Sequence, residues 1–183
     1  DQALFEFIHY DLANPFLDAV LPIYREKTTW IPLYLLMVYL LWRQYGGKRT
    51  LWLLLCIAVT LTVADQLAAS VIKPWVGRAR PCATDDAVRE LVSCGGIYSF
   101  PSNHATNHFA LAMVLNLTWL AERAWSWRLA IFVWAATIAL AQVYVGKHYP
   151  ADIIVGAALG MLIALGGVTG YRRFTKAEAI GPR

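Results

Sequence analysis

The sequence predicts an all-α protein, a polytopic membrane helical bundle of five to six helices that includes an N-terminal interfacial amphipathic helix. Three observations carry this expectation. Of 183 residues, 58% are hydrophobic and 15% charged, against about 25% charged in an ordinary soluble domain, and mean hydropathy is +0.48. The apolar residues gather in runs close to the ~20 residues that cross a bilayer. The basic residues fall between those runs, which reads as a topology signal. The length suits one domain over 1–183. A net charge of +4 without a basic stripe argues against a nucleic-acid partner.

The elements follow in order. Within 1–27, Phe5, Phe7, Ile8, Leu12, Phe16 and Leu17 alternate with Glu6, His9, Asp11, Asn14 and Asp18. Two short amphipathic pieces broken near Asn14-Pro15 fit an interfacial helix. Whether this segment lies on the bilayer or enters it stays open. Spans are expected at Thr28–Trp42, Leu51–Ile72, His104–Leu120, Ala130–Val145 and Ala151–Val168, with a polar loop over 74–101 that holds a short helix near Asp85–Val92. Trp119, Trp125, Trp127 and Trp134 read as an interfacial belt. No signal peptide with a cleavage site is legible.

Arg43, Lys48 and Arg49, then Arg123 and Arg128, then Arg172, Arg173 and Lys176 fall on one side of such a bundle. The positive-inside rule makes that side cytoplasmic. The 74–101 loop, 147–152 and the N-terminal helix then face the periplasm or exterior of an inner membrane. The exceptions to the charge rule are Lys73, Arg78, Arg80 and Lys147, and they coincide with the residues that carry chemistry.

Three polar clusters lie at the outer ends of the spans: Lys73 to Pro81, Pro101 to His104, and His148 to Asp152. Ionisable groups at bilayer depth cost about 2.5–3.5 kcal/mol each on insertion scales, so their gathering points to a site. Cations, a hydroxyl, two imidazoles and a carboxylate suit an anionic, phosphorylated substrate. Asp152, four residues after His148, is placed to fix the imidazole tautomer and leave the other nitrogen free to attack. His104 is the candidate general acid. Ser102, at a helix start, offers a cap where backbone N–H groups attract anions. Lys73 and Arg80 supply positive charge for phosphoryl oxygens. Arg78 reads equally as loop charge or as a further phosphate contact. No metal or other cofactor is called for, since cations crowd the histidines.

Cys82 and Cys94 flank the polar loop; they read as a disulfide if that loop faces an oxidising compartment and as two free thiols otherwise. His108 reads as an interhelical polar group, His9 as interfacial, Asp65 as a helix–helix partner, and Gln66 as a lining residue of a lipid-facing groove.

Lys73 with Arg80-Pro81, Pro101-Ser102-x-His104, and His148-x-x-x-Asp152 together resemble the three signature motifs of the type 2 phosphatidic acid phosphatase family, which also includes vanadium haloperoxidases. The resemblance spans roughly 72–156. It implies a helical membrane fold and metal-independent phosphomonoester or pyrophosphate hydrolysis. It further implies that His148 is the nucleophile forming a phosphohistidine, oriented by Asp152, with His104 as acid and Lys73, Arg80 and Ser102 on the phosphate. The chain departs from the pattern where the family has Ser-Arg and this sequence has Ala141-Gln142. That leaves a phosphate-binding cation missing, with Gln142 offering an amide donor and Lys147 or Arg78 as compensating candidates. Asn103 stands where the family usually has Gly.

The expected partners are the bilayer and a membrane lipid; oligomeric state is open. Undecaprenyl pyrophosphate is the favoured substrate, ahead of phosphatidylglycerol phosphate, phosphatidic acid or a lipid A phosphate. The competing readings are a lipid phosphotransferase and a non-catalytic lipid-binding protein.

Overall fold

The computed structural model describes residues 1–175, so Lys176 of the basic tail lies outside the described residues. Helix α1 (Gln2–Glu6) runs into a π turn at Phe7–Asp11, and α2 (Pro15–Tyr24) follows. Asn14 starts α2 because its Oδ1 accepts from the Leu17 N–H at 3.0 Å and Pro15 occupies the first helical position. A 3₁₀ turn at Lys27–Trp30 leads into α3 (Ile31–Gln66), a π segment at Leu67–Ile72, and α4 (Lys73–Val76).

Helix α3 is a hairpin. It breaks at Gly46, whose φ of 74° is open only to glycine without strain. Tyr34 reaches His108, Gln44 reaches Trp119, and Asp65 is back beside Asn103 and Asn107. Helices α5 (Pro81–Thr84), α6 (Asn103–Leu117), α7 (Trp125–Tyr144) and α8 (Pro150–Thr175) follow within the described residues. Among the described residues, three stretches are long and apolar enough to cross a membrane: 27–76, which the hairpin turns into two passes, Trp125–Tyr144 and Pro150–Arg173. Large apolar side chains such as Leu35, Val59, Ile154 and Leu162 point outward from these helices. The chain is an integral membrane protein, and that outer surface is its lipid face.

Helix α6 is the centre, packed by α3, α7 and α8. Small residues permit the closest approach. A Cβ on Gly156 would stand 2.7 Å from the Ser102 carbonyl, and one on Gly160 would stand 2.1 Å from the Thr106 carbonyl. The Gly156-x-x-x-Gly160 spacing therefore lets α8 lie directly on the α6 backbone. At the C-terminal end of α6, Arg123 donates to Gln44, Arg128 to Asn116 and Arg172 to the Leu117 carbonyl. The basic connections meet at this end of the bundle, opposite the end that holds Ser102 and His104.

Four local expectations are corrected. Residues 85–92 form turns, because the Asp85 carboxylate takes the Ala87 N–H and ends the one-turn α5. The 43–49 connection is helical up to the Gly46 break. His9 is fully buried, with Nδ1 donating to the Tyr144 carbonyl at 2.6 Å and Nε2 accepting from the Arg89 N–H at 3.0 Å. It ties the N-terminal segment to the end of α7, and burial lowers its pKa, in keeping with a neutral ring. Trp134 leaves the expected belt and packs against His108 and Trp30, whereas Trp125 and Trp127 are exposed.

Candidate active site

The site assembles where the N-terminus of α6, the α7–α8 connection and the loop after α4 meet. Gly146, at φ 77°, turns the chain out of α7, and the N–H groups of Lys147 and His148 both donate to the Gln142 carbonyl, at 3.1 and 3.3 Å. Pro150 then opens α8 and delivers Asp152 in its first turn. Nδ1 of His148 stands 3.4 Å from Asp152 Oδ2 and has no closer polar partner. The ring is almost wholly buried and Asp152 fully so. Burial above all, together with the charges of Lys73 and Arg80, pushes His148 down to about 4 against the pull of Asp152, so at neutral pH the ring is an uncharged base.

Asp152 is held on all sides. Oδ1 accepts from Arg78 at 2.8 Å, Oδ2 from the Tyr149 N–H at 2.9 Å, and its carbonyl from the Ser102 N–H at 3.0 Å. Arg78 also donates to the Asp1 carboxylate at 2.5 Å and lies over the Tyr149 ring with its guanidinium carbon 3.9 Å from the centroid. Its donors are therefore directed at carboxylates, and it orients Asp152.

Of the other cations, Lys73 and Arg80 act electrostatically on the His148 ring. Lys73 Nζ donates to the carbonyls of Tyr98, Ser99 and Pro101 at 3.2, 2.8 and 2.7 Å, which clamps the turn before α6. Arg80 donates to the carbonyls of Tyr98 and Cys94, and Cys82 and Cys94 are joined by a disulfide that closes this loop. A Cβ on Gly95 would lie 3.7 Å from Lys147 Nζ and 3.8 Å from an Arg80 terminal nitrogen, so these two cations flank one point. Ser102 caps α6 by accepting from the Ala105 N–H and is fully buried. Asn103 turns away toward Asp65, donating to its carboxylate at 2.9 Å.

Gln142 is fully buried, and its Oε1 accepts from Arg25 at 3.1 Å while its Nε2 has no partner. Sequence reasoning missed Arg25. The one available signal was the absence of a cation at 142, and nothing in the sequence says which distant residue lies against that position. Among the described residues no three His, Cys, Asp or Glu side chains form a metal-ligating group.

Beside His104 a cavity of about 500 Å³ runs between the α3 hairpin and α6. Its lining includes the polar side chains of Glu26, Asp65, Asn103 and Asn107 and the apolar side chains of Met37, Ile57, Leu61 and Leu111.

The fold and candidate site together are those of a helical membrane bundle with a buried imidazole–carboxylate pair and cations close to it. The sequence profile of the PAP2 superfamily matches residues 49–176, and the chain belongs to that family. It is 36% identical over 154 residues to the lipid A 4'-phosphatase of Bacteroides thetaiotaomicron, covering 80% of this chain and 66% of the relative. It is 30% identical over 169 residues to the undecaprenyl-diphosphatase of Sulfolobus acidocaldarius, covering 88% and 73%. The crystal structure of Aquifex aeolicus LpxE superposes with a TM-score of 0.69 at 22% identity, covering 92% of this chain and 94% of that one. The chain thus spans about two thirds of the length of the first of these relatives.

Proposed function

We propose that this protein is a lipid phosphatase that removes a phosphate monoester from a membrane glycolipid of the lipid A type. The observation that carries the reading is the buried His148–Asp152 pair, held neutral and oriented beside the cations while His104 borders an amphiphile-sized cavity. The relatives shift the preferred substrate from undecaprenyl pyrophosphate toward a lipid A phosphate, since the lipid A 4'-phosphatase is the more similar of the two. The polar lining by Asp65, Asn103, Asn107 and Glu26 supports a head group rich in hydroxyls, which those oxygens can accept from.

In this reading Nε2 of His148 attacks phosphorus in line with the leaving oxygen. The P–O bond breaks as His104 gives that oxygen a proton, and Asp152 stabilises the charge that develops on the His148 ring. The phosphohistidine is then split by water, which returns its proton to His104 and releases inorganic phosphate. Lys73, Arg80, Ser102 and Lys147 surround the transferring group, and Asn103 lines the cavity. The site faces the extracytoplasmic side, because the basic connections lie at the opposite end of the bundle.

The test is phosphate release by the purified full chain from lipid A, undecaprenyl pyrophosphate and phosphatidylglycerol phosphate. Release from lipid A at the highest kcat/KM, falling at least about 10³-fold in His148→Ala, is expected. No release from any of the three lipids sinks the proposal, and preferential release from undecaprenyl pyrophosphate overturns the substrate assignment.

A further inference from the structure

We propose that Arg25, in the turn after α2, is a phosphate-binding residue of this site and provides the positive charge that position 142 lacks. The inference rests on the phosphatase reading and deepens it by adding a residue from outside the three motifs.

Arg25 is the C-cap of α2 in a segment otherwise suited to an interface, yet only 5% of it is exposed. A buried guanidinium is unfavourable unless its donors are used. One terminal nitrogen donates to Gln142 Oε1 at 3.1 Å. The Nε donates to Glu26 at 3.1 Å, and the other terminal nitrogen makes a close contact with the same Glu26 oxygen. Gln142 is fixed in turn, because its own carbonyl holds the N–H groups of Lys147 and His148. Arg25 is thereby connected through a single side chain to the backbone of the His148 turn.

The turn that bears Arg25 is built to hold it there. Trp30 Nε1 donates to the Tyr24 carbonyl at 2.8 Å and Thr29 to the Ile23 carbonyl at 2.6 Å. The Tyr24 hydroxyl meets Thr137 of α7 at 2.7 Å, and Trp30 packs on Trp134 with centroids 5.4 Å apart. Rigid anchoring to α7 on both flanks is more than an interfacial helix end needs.

The charge balance also asks for an anion. Arg25, Arg80 and Lys147 share this end of the bundle, and burial with the charges of Arg25 and Arg80 pushes the Lys147 ammonium down to about 8. Asp152 is committed to Arg78 and His148. Among the described residues Glu26 is the carboxylate paired with Arg25, and its side chain is 44% exposed and lines the cavity. It occupies the guanidinium fork that a doubly charged phosphate fits better, since such a fork pairs with two oxygens at once.

The experiment measures the Kd of inorganic phosphate by calorimetry, and KM and kcat on lipid A, for the full chain in detergent. In Arg25→Ala the phosphate Kd and the KM rise at least about tenfold while kcat changes less. In Arg25→Gln/Gln142→Arg, with the charge moved across the same hydrogen bond, most of the affinity returns. Arg25→Lys, which keeps the charge and loses the fork, serves if the alanine variant does not fold, and is expected to weaken phosphate severalfold. Unchanged phosphate affinity in a folded Arg25→Ala or in Arg25→Lys overturns the assignment. Weakened phosphate binding without lipid turnover by the wild type leaves Arg25 assigned and removes the phosphatase reading; turnover indifferent to Arg25 does the reverse.

Discussion

The backbone N–H of Ser102 donates to the carbonyl of Asp152 at 3.0 Å. That bond couples the cap of α6, which precedes His104, to the turn of α8 that follows His148. The two histidines are spaced by the packing of these helices, and that packing depends on Gly156 and Gly160.

Gly160→Ala is expected to destabilise the fold by about 1–3 kcal/mol, the range for forcing extra volume into a packed core. The neighbour is the Thr106 backbone, which cannot swing aside as a side chain would. Thermal unfolding in detergent reads the loss. Wild-type stability in Gly160→Ala contradicts this close approach of α8 to the α6 backbone.

Arg78→Ala separates orientation from binding. Arg78 holds Asp152 and stacks on Tyr149, so its loss lets the carboxylate drift from His148. The expected outcome is a fall in kcat of about ten- to a hundredfold with KM nearly unchanged. A rise in KM at constant kcat identifies Arg78 as a phosphate contact instead.

Part of the pH dependence follows from His148 and Lys147. His148 is pushed from 6.5 to about 4 by burial. The unfolded chain takes up this proton first, so stability is whole above pH 6.5 and declines as pH falls toward 4. The acid limb of kcat/KM is expected near pH 4, and Asp152→Asn moves it lower because the carboxylate raises the ring. Lys147, pushed down to about 8, loses its charge above that pH and phosphate affinity falls. Lys147→Arg carries the alkaline limb upward. An acid limb at 6.5 refutes the neutral buried ring.

Reduction of the Cys82–Cys94 disulfide frees a loop of sequence separation 12 whose carbonyls receive Arg80. Loop-closure entropy puts the loss at about 3 kcal/mol. KM is expected to rise with reductant as Arg80 loses its seat at Cys94, which a titration with dithiothreitol during assay follows. Unaltered KM in the reduced protein shows that Arg80 is held by Tyr98 alone.

Much of the fold was legible because lipid imposes a strong rule on sequence: apolar runs of spanning length mark helices, and Asn14-Pro15 and Pro101-Ser102 mark starts that local hydrogen bonding enforces. The candidate residues of the site could be picked out because His104, His148 and Asp152 follow a local spacing at helix ends. Charge, hydropathy and motif order were thus set by the chain's own chemistry. Tertiary structure alone decided that His9 is an interior staple, that Trp134 packs on Trp30 and His108, that Arg78 serves Asp152, and that Arg25 reaches Gln142 across 117 positions. Such pairings depend on which helix faces which at van der Waals distance, and periodicity within one helix carries no record of its neighbour.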